Sequence, residues 1–402
     1  MEIISDLKRI YHLFRAATAV IWFRYPARNL KVIGVTGTDG KTTTSTLIYY
    51  LLHKMGKKVA LISTVAAFIG DREIDTGFHV TTPDSWMLQR LLRKIAKEKY
   101  QYVILEATSH GLDQYRLFGT NVSIGVLTNI THEHLDYHKT YENYVKTKAK
   151  LFSNGTAILN EDDNSFMHIK KYIPANVKIV TYNYHSIDKD VMNSIKGRFS
   201  EIYNQYNAIA AITVINELGI VEIKSLKKYI LSFPGVPGRM QEVKNRRGFR
   251  TIVDFAHTPN ALKNVLETLK GQKLSNKSKL IVIFGCASQR DTSKRPLMGK
   301  ISRDLAEISI FTAEDPRFED VNEIIDEIEL GAKKSEYKSH SYFKIPDREM
   351  AIDYAINKIA RKSDIVIICG KGHEKSMNYK GKEIPWSDID VVQKLLKVDN
   401  HE

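Results

Sequence analysis

The feature that most constrains the fold of this chain is a glycine-rich turn between an apolar run and an amphipathic segment. The run Val32–Val35 is typical of a buried strand, and the turn that follows contains Gly37 and Gly40. Lys41 and Thr42 then open a segment with apolar residues at helical spacing. Those apolar residues are Leu47, Ile48, Leu51, Leu52 and Met55. The pattern predicts a strand, a phosphate-binding loop and a helix.

The chemistry of this turn suits phosphate. Backbone N–H groups of the turn and of the helix N-terminus can hold phosphate oxygens, Lys41 can add a positive charge, and Thr42 can offer a hydroxyl to Mg²⁺. The spacing is irregular, because the common pattern places a glycine at the position of Val35, whereas here it is Gly37. A turn that only joins a strand to a helix is the alternative, but the Lys-Thr pair stands where phosphate chemistry needs it.

Length and charge limit the class of protein. A chain of 402 residues suggests two or three domains. The net charge of +14 suits polyanionic small molecules such as nucleotides, and is equally compatible with nucleic acid or an anionic membrane surface. The lysines and arginines are scattered rather than massed in one arm, which argues against nucleic acid.

An apolar run near the N-terminus is not predicted to be a targeting or spanning segment. The apolar run Ala16–Phe23 is bounded by Arg15 and Arg24, is too short to span a bilayer, and is followed by no small-residue cleavage site. We predict a packed helix, with contact to a membrane or a partner as the alternative. The only cysteines, Cys286 and Cys369, make no disulfide framework, so a cytoplasmic location is predicted.

Polar motifs follow the strands predicted in the first half of the chain. The run Tyr102–Leu105 delivers Glu106 at its carboxyl end, where ligands collect in open α/β sheets, so Glu106 is a candidate metal ligand. Upstream, after the predicted strand Lys58–Ile62, Thr81 and Thr82 precede a predicted helix. Helix capping is the ordinary role of threonines at such a position.

The strand predicted at Val122–Leu127 runs into a loop rich in histidine and acid, His132-Glu133-His134-Leu135-Asp136-Tyr137-His138. This composition fits a divalent cation, and a polar loop with one functional member is the alternative. The whole cluster is not assigned to a metal, because Mg²⁺ prefers oxygen and takes few protein ligands.

Two later helices carry polar residues of interest. The helix predicted around 144–152 bears three lysines: Lys146, Lys148 and Lys150. Composition alone assigns them to the solvated surface. Asn204 and Asn207 lead into a helix of small residues at 208–215, and their spacing by three suggests a role beyond capping.

The stretch Phe233–Arg239 has the clearest linker composition in the chain. It divides the sequence into a short N-terminal helical segment at 1–30, a domain at 31–235 and a second domain at 236–402. In the second domain polar motifs follow four predicted strands: Ile252-Val253, Leu280–Phe284, Ile308–Phe311 and Ile365–Ile368. We predict an α/β protein: a phosphate-loop ATPase domain with a mostly parallel sheet, then a Rossmann-like α/β domain whose motifs face one cleft.

Together these motifs resemble those of the Mur ligase family, most closely its UDP-N-acetylmuramoyl-tripeptide synthetases. The resemblance extends from about Asn29 to the C-terminus. It is carried by Thr-Gly-Thr-Asp-Gly-Lys-Thr-Thr at Thr36, Thr-Thr-Pro at Thr81, Glu-Ala-Thr-Ser-His at Glu106, Thr-Asn at Thr128, His-Leu-Asp-Tyr-His at His134, Gly-Arg-Met at Gly238, Asp-Phe-Ala-His-Thr-Pro at Asp254 and Gly-Lys-Gly-His-Glu at Gly370. The family uses the shorter glycine spacing found here.

The resemblance implies an ATP-dependent amide ligase of peptidoglycan synthesis. ATP would phosphorylate the D-glutamate carboxylate of a UDP-muramoyl dipeptide, and an amino acid's amine would attack the acyl phosphate. Mg²⁺ and Lys41 would offset the repulsion of the two anions while the domains close. By similarity Lys41, Glu106, His134 and Lys148 are catalytic, and Thr42, Glu106, His134 and Lys148 serve two Mg²⁺ sites. Lys148 matches the family's carbamylated lysine, which contradicts its assignment to the surface.

The resemblance also implies binding residues. Contacts to ATP are implied for Gly37, Thr38, Asp39, Gly40, Lys41, Thr42, Thr43, Asn204, Asn207, Arg239 and Asp254, with Arg239 reaching the γ-phosphate and Asp254 the ribose. Contacts to the muramoyl peptide are implied for Thr81, Thr82, Ser109 and Arg116. Residues matched to the incoming amino acid are Arg290, Asp315, Arg317, Gly370 and Glu374, and His257 is also assigned to substrate binding.

Some positions depart from the family pattern. Members that add diaminopimelate read Asp-Asn-Pro-Arg where this chain has Glu314-Asp315-Pro316-Arg317. Arg317 can hold a carboxylate bidentately and favours diaminopimelate, whereas the carboxylate of Asp315 is compatible with a cationic side chain, so lysine is the alternative. Ala287-Ser288-Gln289 replaces a glycine pair and its neighbour, and Glu133 stands where aspartate is usual.

The largest departure lies at the start, where only residues 1–30 precede the phosphate-loop strand. The family has a separate uridine-binding domain there, so this chain is expected to lack it. Either less surface holds the nucleotide of the substrate, a partner subunit supplies the domain, or the substrate differs. We expect a monomer with weak dependence on the UDP moiety.

Other functions are alternatives to a ligase of peptidoglycan synthesis. A related ligase could act on another carboxylate, such as folylpolyglutamate or a peptide polymer. From other classes, the chain could be a non-catalytic nucleotide-binding subunit or a basic ATPase acting on nucleic acid. Intact Lys41, Glu106, His134 and Lys148 argue against a non-catalytic subunit, and no aromatic-and-basic nucleic-acid motif is visible.

Overall fold

The structure is a computed structural model that describes residues 2–70, 72–74, 81–131, 133–275, 277–288 and 291–397. The chain divides into two units, Met1–Pro234 and Gly235–Glu402. Each unit has a sheet and an apolar core of its own.

The first unit alternates strands and helices. Its helices are α1 (Glu2–Trp22), α2 (Lys41–Lys54), α3 (Ser85–Lys97), α4 (Ser109–Asp113), α5 (Leu135–His138), α6 (Tyr141–Ala149), α7 (Phe166–Lys170), α8 (Lys189–Arg198), α9 (Ile202–Leu218) and α10 (Lys227–Leu231), with 3₁₀ turns at Pro26–Asn29, Lys150–Phe152 and Ile223–Leu226. Its strands are β1 (Lys31–Thr36), β2 (Val59–Ile62), β3 (Ala67–Ile69), β4 (Arg72–Ile74), β5 (Tyr102–Glu106), β6 (Val122–Leu127), β7 (Thr156–Asn160) and β8 (Lys178–Tyr182).

These strands form one eight-stranded sheet in the order β4-β3-β2-β5-β1-β6-β7-β8. The strands from β2 to β8 in this order are parallel, and β3 and β4 add an antiparallel edge. Strand β1 is central, with Ile33 paired to Ile104 of β5 and to Ile124 of β6. The carboxyl ends of β5, β1 and β6 therefore lie side by side, which brings the loops after them to one edge of the sheet.

Apolar spacing explains how the helices cover this sheet. In α2 the side chains of Leu47, Ile48, Leu51 and Leu52 are fully buried, as their helical spacing predicts. Helix α3 begins after Asp84, whose carboxylate accepts the backbone N–H groups of Trp86 and Met87. The cap of α3 is therefore Asp84, and the capping role considered for Thr81 and Thr82 is wrong.

The second unit repeats the alternation. Its helices are α11 (Pro259–Gly271), α12 (Lys294–Leu305), α13 (Val321–Ala332), α14 (Arg348–Asp353) and α15 (Asp388–Lys397), and a π-helical turn at Tyr354–Ile359 continues α14. Its strands are β9 (Gln241–Val243), β10 (Arg250–Asp254), β11 (Leu280–Phe284), β12 (Ile308–Phe311), β13 (Ser341–Lys344), β14 (Ile365–Cys369), β15 (Ser376–Tyr379) and β16 (Lys382–Pro385).

Six of these strands form a sheet in the order β13-β12-β11-β14-β10-β9, and β15 and β16 form a separate hairpin. Only β9 runs antiparallel in the larger sheet. The polar motifs that follow β10, β11, β12 and β14 consequently share one sheet edge. The predicted α/β class, with a mostly parallel sheet and a second α/β sheet domain, is confirmed.

The predicted packed helix near the N-terminus is the last part of α1. Ala16, Ala19 and Val20 are buried on the side of α1 that packs against α3. Within the ranges that the structure describes, no helix combines the length and apolarity that crossing a bilayer requires.

Candidate active site

The phosphate loop leaves the end of β1 and is held by residues of the loop after β6. The hydroxyl of Thr128 and the amide of Asn129 both donate to the carbonyl of Asp39, at 2.6 and 3.1 Å. A Cβ on Gly37 would lie 1.8 Å from Oγ1 of Thr128, and Gly40 has a φ of 82°, so both positions need glycine. These contacts and the two glycines define the conformation of the loop.

Lys41 and Thr42 begin α2 directly behind the loop. Nζ of Lys41 donates to the carbonyls of Gly37 and Thr38 at 3.0 and 2.7 Å, so the ammonium lies across the loop. Thr43, the last predicted loop residue, is buried in the first turn of the helix. Backbone N–H groups of a helix N-terminus together with an ammonium form an anion-binding arrangement.

Glu106, at the end of β5, is buried beside the start of α2. Its carboxylate accepts the hydroxyl of Thr42 at 3.0 and 3.1 Å. It also accepts the hydroxyl of Thr64 at 2.9 Å and the backbone N–H of Thr64 at 3.1 Å. The structure therefore brings the predicted ligands Thr42 and Glu106 into direct contact and adds Thr64, which follows β2.

Lys148 on α6 is buried, and its assignment to the solvated surface is wrong. Its Nζ donates to the carbonyl of Gly37 at 2.7 Å and lies 4.5 Å from the ring centroid of Tyr144. Burial, reinforced by the charge of Lys41, lowers the pKa of Lys148 well below its usual value. Among the described residues Lys148 forms no ion pair, so a neutral amine is stabilised next to the phosphate loop.

His134 lies on the other side of Tyr144. The two ring centroids are 6.2 Å apart, and Nε2 of His134 is 3.7 Å from the carboxylate of Glu133. His138 is buried, and burial together with the neighbouring His110 lowers its pKa to about 4. The predicted ligand His134 is thus close to the group formed by Tyr144 and Lys148, whereas His138 is a neutral packing residue. His132, also in the predicted loop, lies outside the described residues.

A third group surrounds Thr82. Its hydroxyl donates to the carbonyl of Glu106 at 3.1 Å, and its carbonyl accepts the guanidinium of Arg116 at 2.6 Å. The hydroxyl oxygens of Thr81 and Thr64 are 3.0 Å apart, and Ser109 is buried in the first turn of α4. Thr82 therefore links the backbone of Glu106 to Arg116, and Thr81 lies next to Thr64, which bonds the Glu106 carboxylate.

Asn204 and Asn207 lie one turn apart in α9, which is capped by Glu201 rather than by an asparagine. Nδ2 of Asn207 donates to Oδ1 of Asn204 at 3.2 Å. A Cβ on Gly40 would lie 2.2 Å from Oδ1 of Asn207, so this amide is packed against the phosphate loop. The position is consistent with the predicted nucleotide-binding role.

In the second unit, Asp254 closes β10. Its carboxylate accepts the backbone N–H groups of Met240 and Ala256 at 2.6 and 2.7 Å. The guanidinium carbon of Arg239 lies 4.2 Å from the ring centroid of Phe255. The predicted pair Arg239 and Asp254 is thus brought to one end of the sheet, with Asp254 organising the backbone around it.

The stretch after β12 is joined to the stretch after β14 by a buried ion pair. Nζ of Lys371 is 2.9 Å from Oδ1 of Asp315 and also pairs with Glu374. Burial alone would lower the pKa of Lys371, but the charges of Glu374 and Asp315 outweigh it and raise that pKa. Because Asp315 also accepts the N–H of Asn378 at 3.0 Å, its carboxylate is occupied within the protein.

Other predicted amino-acid residues lie nearby in the second unit. Gly370 has a φ of 110°, and a Cβ there would lie 3.3 Å from the side chain of Glu314. Glu314 is buried, burial raises its pKa, and its Oε2 has no hydrogen-bond partner among the described residues. Arg317 is half-buried at a φ of 47°. Arg290 lies outside the described residues.

His257 follows β10 and is neutral over the physiological range. Its Nδ1 is 2.9 Å from the carbonyl of Phe255, and its own carbonyl accepts Nζ of Lys294 at 2.8 Å. Burial, together with the charge of Lys294, lowers the pKa of His257 to about 3. The ring can therefore accept or donate a hydrogen bond without carrying charge.

The donors near the phosphate loop fit Mg²⁺ held jointly with a nucleotide. In the described part of the chain no three His, Cys, Asp or Glu side chains converge on a ready-made metal site. Mg²⁺ usually takes one or two carboxylates together with substrate phosphates. The carboxylate of Glu106 and the hydroxyl of Thr42 supply oxygen donors of that kind beside the loop.

Comparisons with known proteins agree with this geometry. Residues 35–215 match the model of the Mur ligase middle domain, and residues 238–372 match that of the Mur ligase, glutamate ligase domain. The UDP-N-acetylmuramoyl-L-alanyl-D-glutamate--2,6-diaminopimelate ligase of Clostridium botulinum is 35% identical over 407 residues, which cover 95% of this chain and 82% of that protein. This chain belongs to the Mur ligase family. It is an ATP-dependent ligase.

Solved structures extend the comparison. A UDP-N-acetylmuramoyl-L-alanyl-D-glutamate--2,6-diaminopimelate ligase matches with a TM-score of 0.61 and 32% identity over 93% of this chain and 80% of that chain. The bifunctional folylpolyglutamate synthase/dihydrofolate synthase from Yersinia pestis, complexed with AMPPNP and Mn ion, matches with a TM-score of 0.68 and 18% identity over 89% of this chain and 90% of that chain. The second likeness concerns the fold alone.

Sequence patterns did not predict some residues of the candidate active site. Thr64 had a signal, since it follows a predicted strand whose carboxyl end reaches the same sheet edge as Glu106. Tyr144 and Lys371 had none, because an aromatic residue or a lysine in a helix or loop gives no local sign of burial. Glu314 begins the stretch Glu314-Asp315-Pro316-Arg317, but nothing in the sequence distinguishes it from its neighbours.

Proposed function

We propose that this ligase joins meso-diaminopimelate to the D-glutamate carboxylate of UDP-N-acetylmuramoyl-L-alanyl-D-glutamate in peptidoglycan synthesis. The identity of 35% to a ligase named for this reaction, over 95% of the chain, is the main support. The contact between Glu106 and Thr42 beside an intact phosphate loop supports catalysis rather than a non-catalytic nucleotide-binding subunit.

The proposed reaction has two steps. A carboxylate oxygen of the D-glutamate attacks the γ-phosphorus of ATP, and the bond to ADP breaks. The amine of the amino acid then attacks the acyl carbon, phosphate leaves, and the ammonium proton is lost to solvent. Lys41 and the N–H groups of the phosphate loop hold the transferred group. Mg²⁺ supplies charge neutralisation between the two anions when bound.

We further propose that Lys148 carries a carbamate, which would help hold a second Mg²⁺. A carbamate forms from CO₂ and a neutral amine with loss of one proton. Burial of Lys148 without an ion pair favours that neutral amine. We expect Lys148→Ala to lose phosphate release and short-chain carboxylates to restore part of it, because they can occupy the space of the carbamate. A Lys148→Ala variant that no carboxylate rescues, or that keeps full activity, would contradict this role.

The choice of diaminopimelate over lysine rests on Asp315. Its carboxylate is paired with Lys371 and bonded to the N–H of Asn378, so it is held within the protein and does not present a free carboxylate to a cationic side chain. Arg317 keeps a guanidinium suited to the second carboxylate of diaminopimelate. We therefore expect lysine to be a poor substrate.

Phosphate release with an amino-acid panel tests this function. With ATP, Mg²⁺ and UDP-muramoyl dipeptide, we expect release to require meso-diaminopimelate and lysine to be at least about 10-fold less effective, as loss of one charged contact implies. The Arg317→Lys variant should lose part of this preference, because lysine cannot bind the carboxylate bidentately. Release that needs a folate and glutamate instead, or that DNA or RNA stimulates, would contradict the proposal.

A further inference from the structure

The exposed side of α1 is an apolar face. Ile10, Phe14 and Ile21 are spaced by four and seven residues, which puts them on one side of the helix, opposite Ala19 and Val20. Their exposed fractions are 65%, 72% and 62%. Seven of the 20 exposed large hydrophobic side chains of the described chain fall between positions 10 and 25. The apolar face, defined here as Ile10, Tyr11, Phe14, Ile21 and Trp22, is too dense to be incidental.

After Glu2 and Asp6, the charged residues of this segment are lysines and arginines, with no acidic residue among them. Between positions 7 and 38 the sequence has six lysines and arginines and no aspartate or glutamate. Arg9 and Arg15 are bonded within the protein, to Asp113 at 3.5 Å and to Asp84 at 3.3 Å. The other four, none of which forms an ion pair among the described residues, are Lys8, Arg24, Arg28 and Lys31. An occupant of this face must therefore be apolar and negatively charged.

We propose that the apolar face of α1 docks onto an anionic lipid bilayer surface. Apolar side chains flanked by lysine and arginine, with tryptophan and tyrosine at the boundary, are the composition of helices that lie in the membrane interface. A second copy of this chain would bring two sets of positive charges together, which disfavours self-association through the same face. The proposal does not depend on the substrate of the ligase.

The polar groups of α1 are compatible with this position. Thr18, on the same side as Phe14, donates its hydroxyl to the carbonyl of Phe14 at 2.8 Å. Its hydroxyl thus needs no water when the face is covered. The buried side of α1 stays packed on α3, where Trp86 lies 6.2 Å from the ring of Trp22 and 5.9 Å from that of Phe23. Docking therefore needs no rearrangement of the helix.

Vesicle flotation of the full chain tests the proposal. We expect the protein to float with equimolar phosphatidylcholine–phosphatidylglycerol vesicles, to float poorly with pure phosphatidylcholine, and to bind less as salt rises. The double variant Phe14→Glu/Ile21→Glu should lose flotation. The matched control Met167→Glu, at an equally exposed apolar residue of the first unit, should float like the wild type.

A second variant isolates the charge. Replacement of Lys8, Arg24 and Arg28 by glutamine should weaken binding to the anionic vesicles roughly 100-fold, because each basic residue near such a surface contributes about fivefold. All these side chains are exposed, so circular dichroism should report an unchanged fold. Absence of flotation at low salt, or equal flotation of the Phe14→Glu/Ile21→Glu variant, would overturn the proposal. A concentration-dependent dimer seen in sedimentation would also overturn it, if the Phe14→Glu/Ile21→Glu variant abolished that dimer. A second copy of the chain would then cover the apolar face.

Discussion

Glu106 is held by Thr42 of α2 and by Thr64 of the loop after β2, and these contacts bear on its proposed role as a metal ligand. Its carboxylate accepts hydroxyls from Thr42 and Thr64 and a backbone N–H from Thr64. A carboxylate bonded in this way has one orientation. Residues that orient a metal ligand without touching the metal change metal affinity when they are replaced.

Thr64→Val should therefore raise the Mg²⁺ concentration needed for half-maximal phosphate release by about 10- to 100-fold. The rate at saturating Mg²⁺ should change little, because the carboxylate itself remains. Thr64→Ser keeps the hydroxyl and should behave like the wild type.

Thr213→Val offers a matched control, since this hydroxyl donates to the carbonyl of Ile209 within α9 and contacts no predicted site residue. A Thr64→Val variant with normal Mg²⁺ dependence would show that Glu106 needs no support from this side.

His257 should make the second unit sensitive to acid. Its pKa is lowered to about 3 in the folded state, against about 6.5 in an unfolded chain, so the unfolded state binds the proton first as pH falls. The stability that depends on neutral His257 is fully present above pH ~6.5. Below that pH, the free energy of unfolding falls by up to about 1.4 kcal/mol per pH unit. Between pH 6.5 and 5, the free energy of unfolding of His257→Gln, measured with urea, should fall by roughly 2 kcal/mol less than that of the wild type. Equal losses in both proteins would mean that the ring is protonated in the fold.

Local sequence patterns predicted the residues that stand at strand ends, but not those whose role depends on distant packing. Glu106 could be predicted because an apolar run of a strand's length ends immediately before it. Lys148 could not be assigned from composition, since nothing in a helix with three lysines says which one faces the core; only the family resemblance singled it out. The pairing of Asp315 with Lys371 joins two strands' loops and has no local signal.

Among the elements of the second unit, a buried ion pair ties α14 to α15. Arg348 bonds both carboxylate oxygens of Asp388, at 2.8 and 2.7 Å, and also donates to the carbonyls of Ala313 and Cys369. Both side chains are fully buried. The guanidinium thus connects two helices to the ends of β12 and β14. Helix periodicity predicted the apolar contacts of such elements, whereas an ion pair between residues 40 positions apart cannot be read from either helix alone.

Arg348→Met should destabilise the second unit by about 3–5 kcal/mol, because Asp388 would be left buried and without its charge partner. The double variant Arg348→Met/Asp388→Leu should recover only part of this loss, since two carbonyls and the indole N–H of Trp386 also lose partners. Urea unfolding followed by the fluorescence of Trp386, with Trp22 and Trp86 replaced by phenylalanine, reports on this unit.

The control for this experiment is the ion pair between Lys394 and Glu349 on the surface of the same two helices. Lys394→Met should change the stability far less than Arg348→Met does, since exposed pairs are solvated when separated. If Arg348→Met costs no more than Lys394→Met, the buried pair does not hold α14 and α15 together.

In the whole molecule, the predicted site residues are unevenly divided between the two units. The phosphate loop, Glu106, His134 and Lys148 belong to the first unit, whereas the residues matched to the amino acid belong to the second. The alternation of strand and helix patterns was sufficient to predict two α/β parts. The antiparallel strands β3, β4 and β9 were not predicted, because short edge strands of three residues carry too few positions to show a period.

This division predicts how fragments behave. A fragment of residues 235–402 should fold alone, because it contains a six-stranded sheet and its own buried core, and should unfold cooperatively in urea. A fragment of residues 1–234 should bind ATP with Mg²⁺ in calorimetry, since every residue of the phosphate loop and both oxygen donors of the metal site lie within it. Neither fragment should release phosphate from ATP in the presence of dipeptide and amino acid. A Lys41→Ala version of the first fragment that still binds ATP would show that the phosphate loop does not hold the nucleotide. A second fragment without cooperative unfolding would show that this unit depends on the first for its structure.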